Sequence, residues 1–162
     1  MNAEATATVL VVDDDPRALE LMQLILRHAG YRVLGAPDGA TALDLLPVER
    51  PAMVIADLLM PGMSGLELCR RIGGEAAGAG LRFVLLTGMD DEDTRRQASE
   101  AGADAMITKP FDRMELLARL ASLTNDETEL AVEILHMRIA IEDKPVFSEA
   151  EYFAEHGVVV FL

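Results

Sequence analysis

The chain has 162 residues, half of them hydrophobic, which is enough for one domain with a real core and a small appendage. Its 28 acidic residues against 14 basic leave a formal charge of −14, and a surface that acidic repels phosphate backbones, so direct nucleic-acid binding is not expected. With no Trp, two Tyr and five Phe there is no aromatic platform for bases either.

Cys69 is the single cysteine, which excludes an intrachain disulfide and a thiolate metal cluster; it reads as a small buried side chain on a helix. The opening MNAEATAT lacks the positive region and apolar core of a signal peptide. The apolar runs fall far short of the ~20 residues that a membrane helix needs. A cytoplasmic location without membrane association is therefore expected.

Strand and helix signals alternate up to about residue 123. Thr8 to Val12 is an apolar β run ended by three aspartates and Pro16. From Arg17 to Ala29 the apolar residues Leu19, Met22, Leu24, Ile25 and Leu26 make a helix with one heavy face, stopped by Gly30. Tyr31 to Ala36 is a second strand. Asp38 caps a helix carrying Ala42, Leu43, Leu45 and Leu46, with Pro47 and Pro51 bracketing its end. Met53 to Asp57 is a third buried strand. A turn through Pro61 and Gly62 follows it, and Ser64 caps a helix from Gly65 to Ile72. Gly73 to Gly80 reads as a flexible loop. Leu81 to Thr87 is a fourth strand. Asp90, Asp91, Glu92 and Asp93 favour the positive end of a helix that runs to Ala101. Ala105 to Thr108 is a fifth strand and Asp112 to about Leu123 a fifth helix.

Five β-α units with wholly apolar strands imply a parallel sheet covered on both faces, an α/β doubly wound fold. Its site would lie at the carboxyl ends of the strands. The polar residues that end those strands are Asp13 and Asp14, Asp57, Thr87, and Thr108 with Lys109, all on one rim. Converging carboxylates repel unless a cation joins them, and oxygen-only ligands suit a hard ion that keeps several waters, which points to Mg²⁺. A carboxylate can also attack phosphorus and form an acyl phosphate. Phosphoryl transfer then needs charge stabilised around the equatorial oxygens, which Mg²⁺, the Lys109 ammonium and the Thr87 hydroxyl could supply. Lys109 is one of only two lysines in the chain.

The segments VLVVDDDP (9–16), VIADLLMPGMSGLEL (54–68), VLLTG (84–88) and ITKPF (107–111) resemble the response-regulator receiver family in order and spacing, over about residues 6–123. The resemblance implies a flavodoxin-like five-stranded sheet of order 2-1-3-4-5 and a phosphoacceptor at Asp57. It implies Mg²⁺ on Asp13, Asp14, Asp57 and the Leu59 backbone carbonyl, with Asp14 coordinating directly and Asp13 through water. Thr87 and Lys109 match the residues that contact the phosphoryl group, and the Lys109–Pro110 peptide is expected to be cis. The implied phosphodonor is a histidine kinase or a histidine phosphotransfer protein. The output would be a downstream protein of unknown identity, or a homodimer through the tail or the face of the fourth helix, fifth strand and fifth helix. In this reading the chain is a signalling phosphoacceptor that promotes its own phosphorylation and dephosphorylation, rather than an enzyme in the usual sense.

Three positions depart from the family's pattern. Met106 stands where receivers usually carry an aromatic switch residue; it can act with Thr87 as a switch or serve as simple core packing, and Met is flexible enough for either. Leu59 and Met89, two residues past Asp57 and Thr87, are apolar where polar groups are common. They offer nothing to orient a water, so slow autodephosphorylation is expected.

Residues 124–162 fall outside the resemblance and hold nine acids against two bases, a net −7. Leu130, Ile134, Met137 and Ile141 suit an amphipathic helix from about Asp126, although Leu135 to Ile141 also alternates as a strand would. Ser148 and Glu151 suit a short capped helix ending at Gly157, and Val158 to Leu162 a terminal strand that must be paired or buried. Two other functions share part of this residue pattern. Haloacid-dehalogenase-like phosphatases also use an aspartate nucleophile with Mg²⁺, but Arg17 occupies the Thr/Val place of their D-x-D-x-T/V motif. A degenerate receiver acting only as a binding or oligomerisation module is the remaining alternative.

Overall fold

The computed structural model describes residues 7–76 and 80–124. Ten elements alternate along them: β1 (Thr8–Val12), α1 (Pro16–His28), β2 (Arg32–Ala36), α2 (Gly39–Glu49), β3 (Met53–Asp57), α3 (Gly65–Ala76), β4 (Arg82–Thr87), α4 (Glu92–Glu100), β5 (Ala105–Thr108) and α5 (Arg113–Thr124). All five strands are parallel in one sheet of order β2-β1-β3-β4-β5. This is the doubly wound α/β architecture that the alternating signals imply, in the flavodoxin-like order that the family resemblance implies.

The strands are apolar on both sides because both faces of the sheet are covered. On one face Leu10, Val12, Val54, Ala56, Phe83 and Leu85 share a buried core with Ala42 of α2, Leu68, Cys69 and Ile72 of α3, and Ala98 of α4. The alternate residues Val9, Val11, Met53, Ile55, Val84 and Leu86 are equally buried, each aliphatic side chain contributing roughly 1.5–3 kcal/mol. On that side α1 lies over β1 and β2. At Gly35, paired with Val11, a Cβ would stand 1.7 Å from Gln23 Nε2, so a larger residue there would force the Gln23 side chain of α1 to turn aside. The chain divides into two units between Leu116 and Leu117, within α5; the sheet and α1 to α4 all belong to the first.

Aspartates start the helices at the carboxyl edge of the sheet. Asp15, Asp38 and Asp91 accept the amides of Arg17, Thr41 and Thr94 at 2.9, 2.7 and 2.8 Å, satisfying N–H groups that the first helical turn leaves without a partner. Those amides hold the Asp38 and Asp91 carboxyls below the usual carboxylate range. Ser64 Oγ accepts the Glu67 amide at 3.2 Å, as the sequence implied.

Helix α2 ends between Pro47 and Pro51, as the sequence implied: it runs through Pro47 to Glu49 and closes at Arg50 in the left-handed region, φ 44°. A proline forfeits only its own N–H bond and strains one turn, and the Arg50 amide still reaches the Leu46 carbonyl at 3.0 Å. Helix α3 passes Ile72 and continues through Gly73 and Gly74 to Ala76. Two helical glycines cost about 2 kcal/mol together, and buried Leu68, Cys69 and Ile72 anchor the helix against that loss. Other boundaries move by a residue, as with β2 starting at Arg32 and β4 at Arg82. The helix expected from about Asp126, the short helix after Ser148 and the strand Val158 to Leu162 lie outside the described residues. No described helix is long and apolar enough to cross a membrane.

Candidate functional site

The parallel register sets the site. Val12 pairs with Ala56, so Asp13 follows beside Asp57; Thr87 pairs with Thr108, so Lys109 follows beside Thr87. Backbone bonds carry the ladder past the last strand residues, from the Asp13 amide to the Ala36 carbonyl (3.2 Å), Leu58 to Leu86 (2.8 Å) and Lys109 to Thr87 (2.7 Å). The side chains that end β1, β3, β4 and β5 are thereby fixed along one rim by main-chain geometry.

Asp13, Asp14 and Asp57 each bring a carboxylate oxygen to within 4.8 Å of the others. Asp13 is buried, Asp14 exposed and Asp57 half-buried. Lys109 Nζ donates to Asp57 Oδ1 at 2.8 Å, so one ammonium faces three carboxylates. Burial holds the Asp13 carboxyl above its usual value, and the negative charges of Asp57 and Asp14 push the same way; the Asp15 amide, donating at 2.9 Å, and Lys109 oppose them. An all-oxygen set with surplus negative charge and one exposed member fits a hard divalent cation that keeps water, the Mg²⁺ class.

Thr87 is 1% exposed, and its Oγ1 accepts the Met89 amide at 2.9 Å. Its own proton is then what the hydroxyl can offer an anion. The Lys109–Pro110 peptide is cis, as expected. Leu59 and Met89, 68% and 45% exposed, are with Val48 the exposed large hydrophobics among the described residues. Met106 is half-buried and packed on the core that contains Ala98 and Ala101. Cys69 is buried as expected, donating to the Ala101 carbonyl at 3.3 Å, and burial pushes its thiol up to about 11.

Two supports of the site were not found from sequence. A Cβ on Gly65 would stand 2.4 Å from the Asp57 carbonyl oxygen and 2.8 Å from Leu85 Cδ2, while the Gly65 amide donates to Leu58 at 3.0 Å. The start of α3 is thus pressed against the strand end that carries Asp57. At Gly39 the Met63 sulfur lies 2.6 Å from where a Cβ would be, seating the loop after Asp57 on the start of α2. A glycine just after a cap residue was the available signal in both cases, and it does not distinguish close packing from mere tolerance.

A parallel doubly wound sheet with an acidic triad and a lysine at its carboxyl edge has close counterparts. Residues 9–121 match the model of the response regulator receiver domain, and the chain belongs to that family. It is 40% identical to the response regulator MprA of Mycobacterium tuberculosis over 133 residues, 82% of this chain and 57% of that protein. It is 32% identical to the phosphate regulon transcriptional regulatory protein PhoB of Pseudomonas aeruginosa over 149 residues, 85% of this chain and 65% of that one. The chain therefore spans a little over half the length of the MprA relative. Among solved structures, the chemotaxis protein CheY4 of Vibrio cholerae superposes with a TM-score of 0.70 at 29% identity, covering 74% of this chain and 99% of that one.

Proposed function

We propose that Asp57 accepts a phosphoryl group from the phosphohistidine of a histidine kinase or histidine phosphotransfer protein. The observation that carries this is the carboxylate triad of Asp13, Asp14 and Asp57 with Lys109 on Asp57 Oδ1 at 2.8 Å. An Asp57 carboxylate oxygen attacks phosphorus, the P–N bond to the donor imidazole breaks, and an acyl phosphate forms on Asp57. Mg²⁺ held by Asp13, Asp14, Asp57 and the Leu59 carbonyl would supply positive charge for the phosphoryl oxygens. Lys109 is already in place to follow that charge from the carboxylate to the phosphoryl group. Thr87 turns its proton toward the same oxygens, and because Met89 donates to the same hydroxyl, the loop after β4 is tied to the event. Met106 adjusts with Thr87.

Phosphorylation then biases an existing equilibrium between two states that differ in affinity for a downstream protein or a second copy of the chain. Residues 6–123 form the receiver in this reading and 124–162 an acidic extension, in a cytoplasmic protein. The apolar Leu59 and Met89 leave the acyl phosphate slow to hydrolyse; Met89→Glu should shorten its lifetime, and an unchanged lifetime would count against that step.

The test is phosphoryl uptake by the full chain in Mg²⁺ from a small acyl phosphate or a phosphorylated kinase. The wild type should take up a hydroxylamine-labile phosphoryl group, and Asp57→Asn should not. Equal labelling of Asp57→Asn, or uptake undiminished by chelation of the metal, would overturn the proposal.

A further inference from the structure

Seven of the nine methionines lie among the described residues, and they differ sharply in access. Met22, Met53 and Met60 are buried, and Met63, Met106 and Met114 are half-buried. Met89 is 45% exposed, and it belongs to the loop that leaves β4 at the rim of the acidic pocket. Its amide is bonded to Thr87 Oγ1 at 2.9 Å, so its backbone cannot shift without disturbing a hydroxyl of the site. Leu59, 68% exposed, supplies the other apolar residue at this edge. Thioether oxidation follows access, and it replaces an apolar side chain by a polar one bearing a strong acceptor.

We infer that Met89 is a reversible oxidation site whose sulfoxide shortens the life of the phosphoryl group on Asp57. This rests on the phosphoacceptor reading of Asp57. The oxidant is a peroxide: the sulfur lone pair attacks the distal peroxide oxygen and the O–O bond breaks. An S–OH bond forms, and the leaving hydroxide takes the proton from that oxygen, giving the sulfoxide and water. The thioether loses two electrons and hydrogen peroxide gains them. A sulfoxide oxygen at position 89 holds water at a rim where Leu59 and the unmodified Met89 offer hydrocarbon and thioether only, and that water reaches the acyl phosphate. Reduction of the sulfoxide by methionine sulfoxide reductase with a dithiol restores the apolar rim.

The experiment treats the full chain with graded hydrogen peroxide and maps sulfoxides by peptide mass spectrometry. After excess peroxide is removed, the chain is phosphorylated with a small acyl phosphate in Mg²⁺ and the phosphoryl half-life is followed. Wild type and Met89→Leu are each compared with their own untreated sample. Met89 should oxidise ahead of Met63, Met106 and Met114. The wild-type half-life should shorten, that of Met89→Leu should not change on treatment, and reductase should restore the wild type. Oxidation of Met89 no earlier than the half-buried methionines would overturn the inference, as would full conversion without change in half-life, or an equal loss in Met89→Leu. Failure of the untreated wild type to take up phosphoryl at all would instead bring down the phosphoacceptor reading, and this inference with it.

Discussion

Gly65→Ala is the substitution that tests most directly how α3 holds the strand end beneath Asp57. Its new Cβ would lie 2.4 Å from the Asp57 carbonyl oxygen and 2.8 Å from Leu85 Cδ2. The first distance is about 0.9 Å inside the ~3.3 Å of a close carbon–oxygen contact, and backbone cannot swing away as the end of a long side chain can. Overpacking of this kind costs roughly 1–3 kcal/mol. With a urea m-value of about 2 kcal/mol/M, the midpoint should fall by about 0.5–1.5 M. Gly73 in the same helix is the control: its nearest neighbour is the Ala101 carbonyl oxygen at 3.9 Å. Gly73→Ala should gain up to ~1 kcal/mol from helix propensity alone and raise the midpoint by up to about 0.5 M. Mg²⁺ affinity, followed by calorimetry, should fall in Gly65→Ala and hold in Gly73→Ala. A Gly65→Ala midpoint at or above the wild type's, at unchanged m, would refute the claim that close packing at Gly65 sets the Asp57 main chain.

Three further outcomes follow from the geometry. Burial, then Asp57 and Asp14, raise the Asp13 carboxyl above the ordinary carboxylate value; an acid raised by folding stabilises the fold fully only below the unfolded value and loses that contribution as pH rises through the folded one. Asp13→Asn keeps an acceptor for the Asp15 amide, so without metal it should melt a few degrees above wild type at pH 7. The gap should narrow as pH falls toward 4, and a Tm gain that ignores pH would refute the charge argument. Arg50→Gly should stabilise by about 0.5–1 kcal/mol in urea titration, because φ 44° costs an L side chain and not a glycine; a loss of stability would show the arginine side chain to be needed. Cys69, with its thiol pushed up from 9.0 to about 11, should resist a disulfide reagent at pH 8 in the native state and react fully in denaturant. As an acid raised by folding, it supports stability below pH 9 and withdraws that support as pH climbs through 11, so a native chain that labels rapidly at pH 8 would contradict its burial.

Much of the architecture was legible because the strands leave little choice. Val9 to Val12, Met53 to Ala56 and Phe83 to Leu86 are apolar without alternation, which only a sheet covered on both faces accommodates, and each ends in a residue that apolar packing cannot use. Once the strands are parallel, Asp13, Asp57, Thr87 and Lys109 must share an edge. Helix ends were legible only in part: α2 stops between Pro47 and Pro51, whereas α3 overruns Ile72. Pro47 and Gly73 are breakers by local propensity, yet α2 and α3 run through them, because propensity contributes about 1 kcal/mol for a glycine and ~3 for a proline against the burial of several core side chains. The tight contacts at Gly35, Gly39 and Gly65 were not legible at all. They depend on which residue of another element comes to lie opposite, a fact that no local pattern contains.

Asp57 ends β3, which is hydrogen-bonded to β1 on one side and β4 on the other, while Gly65 blocks movement from beyond the strand end. If Asp57 takes a phosphoryl group as proposed, the new charge arrives on an interior strand of the described sheet, bonded on both sides. A strand at the sheet's edge could absorb the insult by peeling away; this one works as an anvil. The displacement must emerge in the loops that border it, through the Met89 amide on Thr87 and the Met63 side chain on Gly39. Hydrogen exchange after phosphorylation should accordingly change at those loops and leave the amides of β3 as slow as before.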